Sequence, residues 1–315
     1  MGPGVLVIVF KGIGDVVLTT PLLRALKKGL PDSRIYFLTK KASRSILELN
    51  PNLDGVFCRE DSPLGAIRRA GIDISLDFMR SSVSGFYSLF SGASKRLAFR
   101  YAGGRLFYNL MPEKREASGY TVLDRLQLLG PLGIASDGAQ PDLFFRPANA
   151  ARAEAFLAAG AVPPGAFTVT LDITSPREHR RWAPELFGRL ADQLARAFAA
   201  KVVFLWGPGE RGYVEAALAA AKEPHLLAPD FDLLDLAALQ RRAALHVGLS
   251  SGPMHVAVSQ GTPTFTIYAP QNSPLSWSPP GPKHAWVQGD LAALSFDAVW
   301  EKLGAHIKAL QGGGK

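Results

Sequence analysis

Cysteine is almost absent. Cys58 stands alone among 315 residues, so no intrachain disulfide can form and a reducing compartment suits the chain. Long hydrophobic runs are missing too: no stretch approaches the ~18 uninterrupted apolar residues that a membrane span needs. The opening MGPGVLVIVFKG has neither a basic leader nor a cleavage site, which argues against a signal peptide. A soluble cytoplasmic protein is therefore expected. The six histidines are scattered without metal-ligand spacing, so no bound metal is expected. No Walker A loop or Ser-x-x-Lys pair occurs, which removes P-loop chemistry and one common serine-nucleophile arrangement.

What is present can build large cores. The chain is 47% hydrophobic and 20% charged, which excludes general disorder, and its length allows two domains. The net charge of +8 is unevenly spread. Residues 1–150 carry 20 Lys and Arg against 13 Asp and Glu, whereas 151–315 carry 15 against 14. That excess is either a solvated surface or a face turned toward phosphorylated lipid, a membrane or nucleic acid.

Strand-like and helix-like segments alternate. Strands are expected at Val5–Phe10, Ile35–Leu38, Gly55–Cys58 and Ile72–Asp77, with helices at Thr20–Lys28, Ser43–Glu48 and Pro63–Ala70. Ser81–Tyr108 mixes Gly, Ser, Arg and aromatics and shows no clear period. A helix over Tyr120–Leu129, a lapse around Asp137–Pro147 and an Ala-rich helix over Ala148–Ala161 follow. The cycle then restarts with strands at Phe167–Asp172, Lys201–Trp206, Leu245–Leu249 and Thr264–Tyr268. Such alternation predicts parallel α/β sheets, here two in tandem over 1–150 and 151–315. A closing helix is expected at about 297–310, then a frayed Gly312-Gly313-Gly314 tail.

Four segments can carry chemistry. In VLVIVFKGIGDVVLTT, Asp15 follows Gly12 and Gly14 at the carboxyl end of the first strand. The third glycine of a dinucleotide fingerprint is replaced by Val17, so a nicotinamide enzyme is disfavoured. Asp15 is either a helix N-cap or a general base near a bound hydroxyl. In DITSPREHRRWAPELF, a strand ends in a loop holding Arg177, His179, Arg180 and Arg181 ahead of a Pro184-led helix. That is a basic surface loop or a phosphate site. In HVGLSSGPMHVAVS, Ser250, Ser251, Gly252 and Pro253 open a helix whose N-terminus suits a diphosphate. His255 is either a ligand contact or a core histidine. Glu210 follows the Gly-Pro-Gly turn after another strand, where an acid can bind ribose or simply face solvent.

Taken in order, Gly-x-Gly-Asp-x5-Pro, Arg-Arg-Trp-x-Pro-Glu-x-Phe and Ser-Gly-Pro-Met-His with a later Gly-Thr-Pro resemble the lipopolysaccharide heptosyltransferases of glycosyltransferase family 9. GIDISLDFMRS and GYTVLDRLQLLGPLGI fit the same family more weakly. The resemblance implies a GT-B fold, two Rossmann-like domains facing across a cleft, with the last helix returning toward the first domain. It implies inverting transfer of heptose from ADP-heptose to a lipopolysaccharide inner-core acceptor, with no separate cofactor. Asp15 would be the general base. Arg180 would neutralise the leaving diphosphate, helped by Thr174 and Ser175. Glu210 would hold ribose, Phe231 would pack on adenine, and Ser250 to Pro253 with His255 would line the diphosphate. The partners implied are the nucleotide sugar, an anionic glycolipid and the cytoplasmic face of the inner membrane, not nucleic acid. Ser250-Ser251-Gly252 replaces the family's Asp-Thr-Gly, and Leu171-Asp172-Ile173-Thr174 replaces a His-Pro-Gly-like turn. Two alternatives stay open: a GT-B protein that binds without transfer, and a GT-B nucleotide-sugar epimerase.

Overall fold

The computed structural model describes residues 2–115, 119–175, 177 and 180–312. His179 of the basic loop, and Gly313 and Gly314 of the expected tail, lie outside them. The chain divides into two units, Met1–Phe144 and Phe145–Lys315.

In the first unit, β1 (Gly4–Ile8), β2 (Arg34–Thr39), β3 (Gly55–Cys58), β4 (Ile74–Asp77) and β5 (Lys95–Ala98) form a sheet in the order β3-β2-β1-β4-β5. Every pairing is parallel; Val5 lies opposite Ile35 on one side and Ile74 on the other. β1 is buried throughout, as a central strand covered on both faces must be. The helices are α1 (Ile13–Val17), α2 (Thr20–Gly29), α3 (Leu64–Arg69), α4 (Ser82–Phe90) and α5 (Thr121–Leu126). α2 shows how pattern makes structure. Pro21 sits in its first turn, Leu22, Leu23, Ala25 and Leu26 are buried, and Lys27 and Lys28 occupy the last turn near the negative dipole end.

The second unit repeats the plan with β6 (Thr168–Asp172), β7 (Lys201–Leu205), β8 (Leu226–Leu227), β9 (Leu245–Leu249), β10 (Thr264–Tyr268) and β11 (His284–Gln288). Their order is β11-β10-β9-β6-β7-β8, again parallel. Around them lie α6 (Pro147–Ala159), α7 (Pro184–Phe198), α8 (Arg211–Ala220), α9 (Leu233–Arg242), α10 (Gly252–Ser259), α11 (Pro274–Trp277) and α12 (Phe296–Gly312). The core joins Leu171, Trp182, Phe187, Phe265, Leu303 and Ile307 among others. The buried face of α12 thus belongs to the second unit's own core. Each sheet is Rossmann-like, as expected for GT-B domains.

Several elements differ from their sequence reading. Lys41–Ile46 is a 3-10 turn, not a helix over 43–48. α4 and β5 emerge from the segment that showed no period, and β8 and β11 add edge strands. α4 escaped notice because Ser84, Gly85 and Ser88 are its buried residues while Phe86 and Phe90 are exposed. The units part after Phe144, ahead of residue 150. Contacts explain this: Arg24 of α2 pairs with Asp137 at 3.3 Å and with Asp142, holding that segment to the first unit. The whole of α6 goes with α9 through Asn149 and Arg152, which bond Asp235 at 2.8 and 2.5 Å.

Candidate active site

In the first unit β1 lies between β2 and β4, so chain connections leave in opposite directions there, the point where ligands of open α/β sheets bind. The turn after β1 delivers Asp15 to that position. Gly12, not Asp15, is the N-cap of α1, and Asp15 is its third residue, which sets the capping reading aside. The carboxylate is instead held from far along the chain. Arg125 Nη2 donates to Asp15 Oδ1 at 2.6 Å, and Nη1 donates to the Asp15 carbonyl and to Thr19 Oγ1. The Arg125 side chain is 9% exposed and that of Asp15 19%. The guanidinium also lies 5.9 Å from the Phe78 ring centroid. Burial pushes Arg125 below its usual range, and the Asp15 charge opposes that shift. Asp15 Oδ2 makes no hydrogen bond among the described residues. One oxygen is therefore fixed while the other stays available to a proton.

Arg125 was missed in the sequence. The one available signal was an Asp124-Arg125 pair set between the apolar residues Val122, Leu123 and Leu126 of α5. Asp77 closes β4 beside it, opposite Ile8. It is fully buried, accepts from Met79 N at 2.6 Å and from the Tyr108 hydroxyl, and burial raises its pKa.

In the second unit β6 lies between β9 and β7. Three segments converge at this switch point. Asp172 ends β6; Ser251 Oγ, following β9, donates to its Oδ2. Thr174 Oγ1 stands 2.7 Å from Glu210 Oε2 and 3.1 Å from Asp172 Oδ1, one hydroxyl between two carboxylates. Gly207 N donates to Glu210 Oε2 at 3.1 Å. Burial, then the Glu210 charge, pushes the Asp172 carboxyl up to about 6, against hydrogen bonds from Ser251 and Thr174. Gly248 permits the close strand approach: a Cβ there would lie 2.5 Å from the Asp172 carbonyl oxygen. Asp172 is the second residue the sequence reading left out of the site. Its signal matched that of Asp15, an acid closing an apolar strand. The carboxylate missing from the Ser250-Ser251-Gly252 turn is thus present on the neighbouring strand.

Ser251 is the N-cap of α10 but its side chain does not cap, because its hydroxyl serves Asp172. The buried Tyr268 hydroxyl bonds Ser278 Oγ at 2.9 Å, and burial pushes its pKa up to about 12. His255 is 5% exposed and lies edge-on to Trp277, with centroids 5.8 Å apart.

The basic loop is anchored by Trp182, wholly buried, whose Nε1 donates to the Leu294 carbonyl at 2.9 Å. Arg181 is committed: its Nε donates to the Ser175 carbonyl at 2.7 Å and its guanidinium sits 4.9 Å from the Tyr213 centroid. Ser175, also buried, accepts from Arg177 N at 3.3 Å. Arg180 makes no ion pair among the described residues, and its Nε is buried without a partner there. Burial and the nearby Arg177 charge push its pKa down, the state of a cation short of an anion. Phe231 packs edge-on to Phe156 at 5.6 Å, with Arg152 over its ring at 5.7 Å. Among the described residues no ring contact or side-chain hydrogen bond joins it to the cluster around Asp172. No group of three or more metal-ligating side chains is assembled among the described residues.

Two Rossmann-like units in one chain, each presenting polar groups at its switch point, are the architecture of a GT-B glycosyltransferase. The chain belongs to glycosyltransferase family 9 (heptosyltransferase), whose pattern matches residues 65–295. It is 24% identical to lipopolysaccharide heptosyltransferase 3 of Escherichia coli over 84% of this chain and 83% of that one. Its fold matches the crystal structure of the glycosyl transferase family 9 protein from Veillonella parvula DSM 2008 with a TM-score of 0.87, at 22% identity over 97% of both chains. The E. coli ADP-heptose lps heptosyltransferase II matches with a TM-score of 0.78 at 19% identity, over 99% of this chain and all of that one. The protein is a glycosyltransferase, which removes the epimerase alternative.

Proposed function

We propose that this protein transfers heptose from ADP-heptose to a lipopolysaccharide inner-core acceptor, with inversion at the anomeric carbon and Asp15 as general base. The reading is carried by the Asp15 carboxylate, clamped on one oxygen by the buried Arg125 guanidinium. In the step envisaged, Oδ2 takes the acceptor hydroxyl proton as that oxygen bonds the anomeric carbon. The bond from that carbon to the β-phosphate oxygen breaks, and ADP leaves. Arg180, lacking an ion pair among the described residues, would neutralise the charge developing on the diphosphate. Hydroxyls of Ser250 and Ser251 and the amides opening α10 would add hydrogen bonds. Thr174, Ser175 and Glu210 would contact ribose and phosphate. The names of two relatives, the ADP-heptose lps heptosyltransferase II and lipopolysaccharide heptosyltransferase 3 of E. coli, support the donor and the product class. The acceptor is lipid-linked, so the enzyme would work against the cytoplasmic face of the inner membrane. No helix of the described residues is long and apolar enough to cross it.

Asp15→Asn is the fitting test. Asp15→Ala would strand the buried Arg125 and confuse stability with catalysis, whereas asparagine keeps an acceptor for it. Turnover should fall roughly 10²–10⁴-fold, the worth of a general base, with ADP affinity unchanged. Turnover within a few-fold of the native enzyme overturns the assignment of the base. In a thermal-shift comparison of ADP, UDP, GDP and CMP, ADP should stabilise most, by about 2.7 kcal/mol at a hundredfold excess over Kd. Preference for UDP overturns the donor. Nucleotide binding with no transfer to any acceptor favours the binding-only alternative that Ser250 suggested.

A further inference from the structure

Helix α4 turns Tyr87 inward onto Phe10 but leaves an apolar stripe exposed. An ordinary surface helix buries its apolar stripe and shows its polar face to water. Here Ser84, Gly85 and Ser88 are buried, Ser88 Oγ bonding Ser75 Oγ of β4 at 2.6 Å. Val83, Phe86 and Phe90 are instead 44%, 52% and 46% exposed. These three fall at i, i+3 and i+7, one stripe along the helix. The Phe86 and Phe90 rings stack at 5.9 Å. The turn at 104–107 extends the patch: Phe107 meets Phe86 edge-on at 5.3 Å, and Leu106 is 76% exposed. Four of the eight large hydrophobic residues exposed among the described residues lie in this one segment.

The chain segment that carries them has charge of one sign, although Arg100 pairs with Glu113 just beyond it at 3.3 Å. From Phe78 to Pro112 the sequence holds no Asp or Glu and five cations, Arg80, Lys95, Arg96, Arg100 and Arg105. Most of the +7 excess of residues 1–150 is concentrated here. Arg96 Nε donates to the Phe107 carbonyl at 2.7 Å, and Arg68 Nη1 to that of Phe90 at 3.3 Å, fixing two cations at the patch edge. Beside it opens a cavity of about 750 Å³ lined by Arg100, Tyr101, Arg105 and Tyr108 with their neighbours.

We propose that the α4 stripe and the 104–107 turn are the surface by which this protein docks on an anionic lipid bilayer. The apolar side chains enter the acyl boundary, and the surrounding cations meet the headgroup phosphates. Exposed phenylalanines and a leucine beside this basic stretch match that interface. The inference deepens the proposed work on a lipid-linked acceptor by naming where the membrane is met.

The test is flotation of the full chain with vesicles of phosphatidylglycerol in phosphatidylethanolamine, against vesicles of phosphatidylcholine alone. The native protein should float with the anionic vesicles at low salt, and little with the neutral ones. Leu106→Ser and Phe86→Ser should each cut partitioning about tenfold or more, and Lys95→Glu and Arg105→Glu about fivefold or more. Each altered side chain stands largely in water, so circular dichroism should be unchanged. Transfer to a soluble, lipid-free acceptor should match the native rate in Leu106→Ser, which separates docking from catalysis. A protein that floats through this patch but transfers nothing fails the functional reading and keeps this one. Equal partitioning of native and Leu106→Ser protein overturns the proposal. So does self-association that Leu106→Ser abolishes without any vesicle binding, which would assign the patch to a second copy of the chain.

Discussion

Replacing Arg125 by methionine removes a buried cation while roughly keeping the aliphatic volume. Asp15 Oδ1 and Thr19 Oγ1 lose their donor, while the Asp15 carbonyl keeps the Thr19 hydroxyl at 2.8 Å. Breaking a buried pair costs about 3–5 kcal/mol because the surviving charge stays uncompensated. Asp15 keeps 19% of its side chain in contact with water, so the lower end, about 3 kcal/mol, is expected. For a unit of this size that lowers the midpoint by roughly 10 °C. The probe matters. All five tryptophans, residues 182, 206, 277, 286 and 300, lie in the second unit. Their fluorescence reports that unit, so the first is followed by hydrogen exchange of the β1 and β4 amides. Those amides should lose protection equivalent to about 3 kcal/mol. A cycle with Asp15→Asn should return a coupling of at least about 1 kcal/mol, and turnover should fall about a hundredfold as the carboxylate loses its aim. Unchanged β1 protection with zero coupling would refute the clamp.

Three further outcomes follow from the second unit. Asp172 holds its proton up to about pH 6 when folded, against about 3.9 unfolded, so the folded state binds the extra proton and stability falls as pH rises between roughly 4 and 6. Asp172→Asn should abolish that fall and be more stable at pH 8 by about 3 kcal/mol. His246 and His284, pushed down to about 3 and about 4 by burial, give the opposite slope, so the difference between variant and native urea melts is the reading, and parallel pH curves would count against it. Arg180→Ala should weaken ADP binding at least about tenfold with stability within about 0.5 kcal/mol, and Arg180→Lys should recover part; unaltered affinity in calorimetry would remove Arg180 from the site. Trp182→Ala should cost about 3–5 kcal/mol in tryptophan-independent melts, since the indole is wholly enclosed; a loss under 1 kcal/mol would mean the loop is anchored elsewhere.

Local order in the sequence decided much. Apolar runs at β1, β6, β9 and β10 declared buried parallel strands, and their alternation with helices such as α2 and α7 declared two sheets. Asp15 and the Arg-Arg-Trp loop were visible as polar residues at strand ends, since strand and turn are both short-range patterns. What joins those ends was not visible. Arg125 reaches Asp15 across 110 residues, and Ser251 reaches Asp172 across 79. Such contacts exist only because α5 packs against α2 and β6 neighbours β9, and tertiary neighbourhood leaves no period in a sequence. The outward stripe of α4 was hidden for a related reason. Spacing of Val83, Phe86 and Phe90 marks a face, but only packing against β4 decides which face is buried, and Ser75 chose the serines.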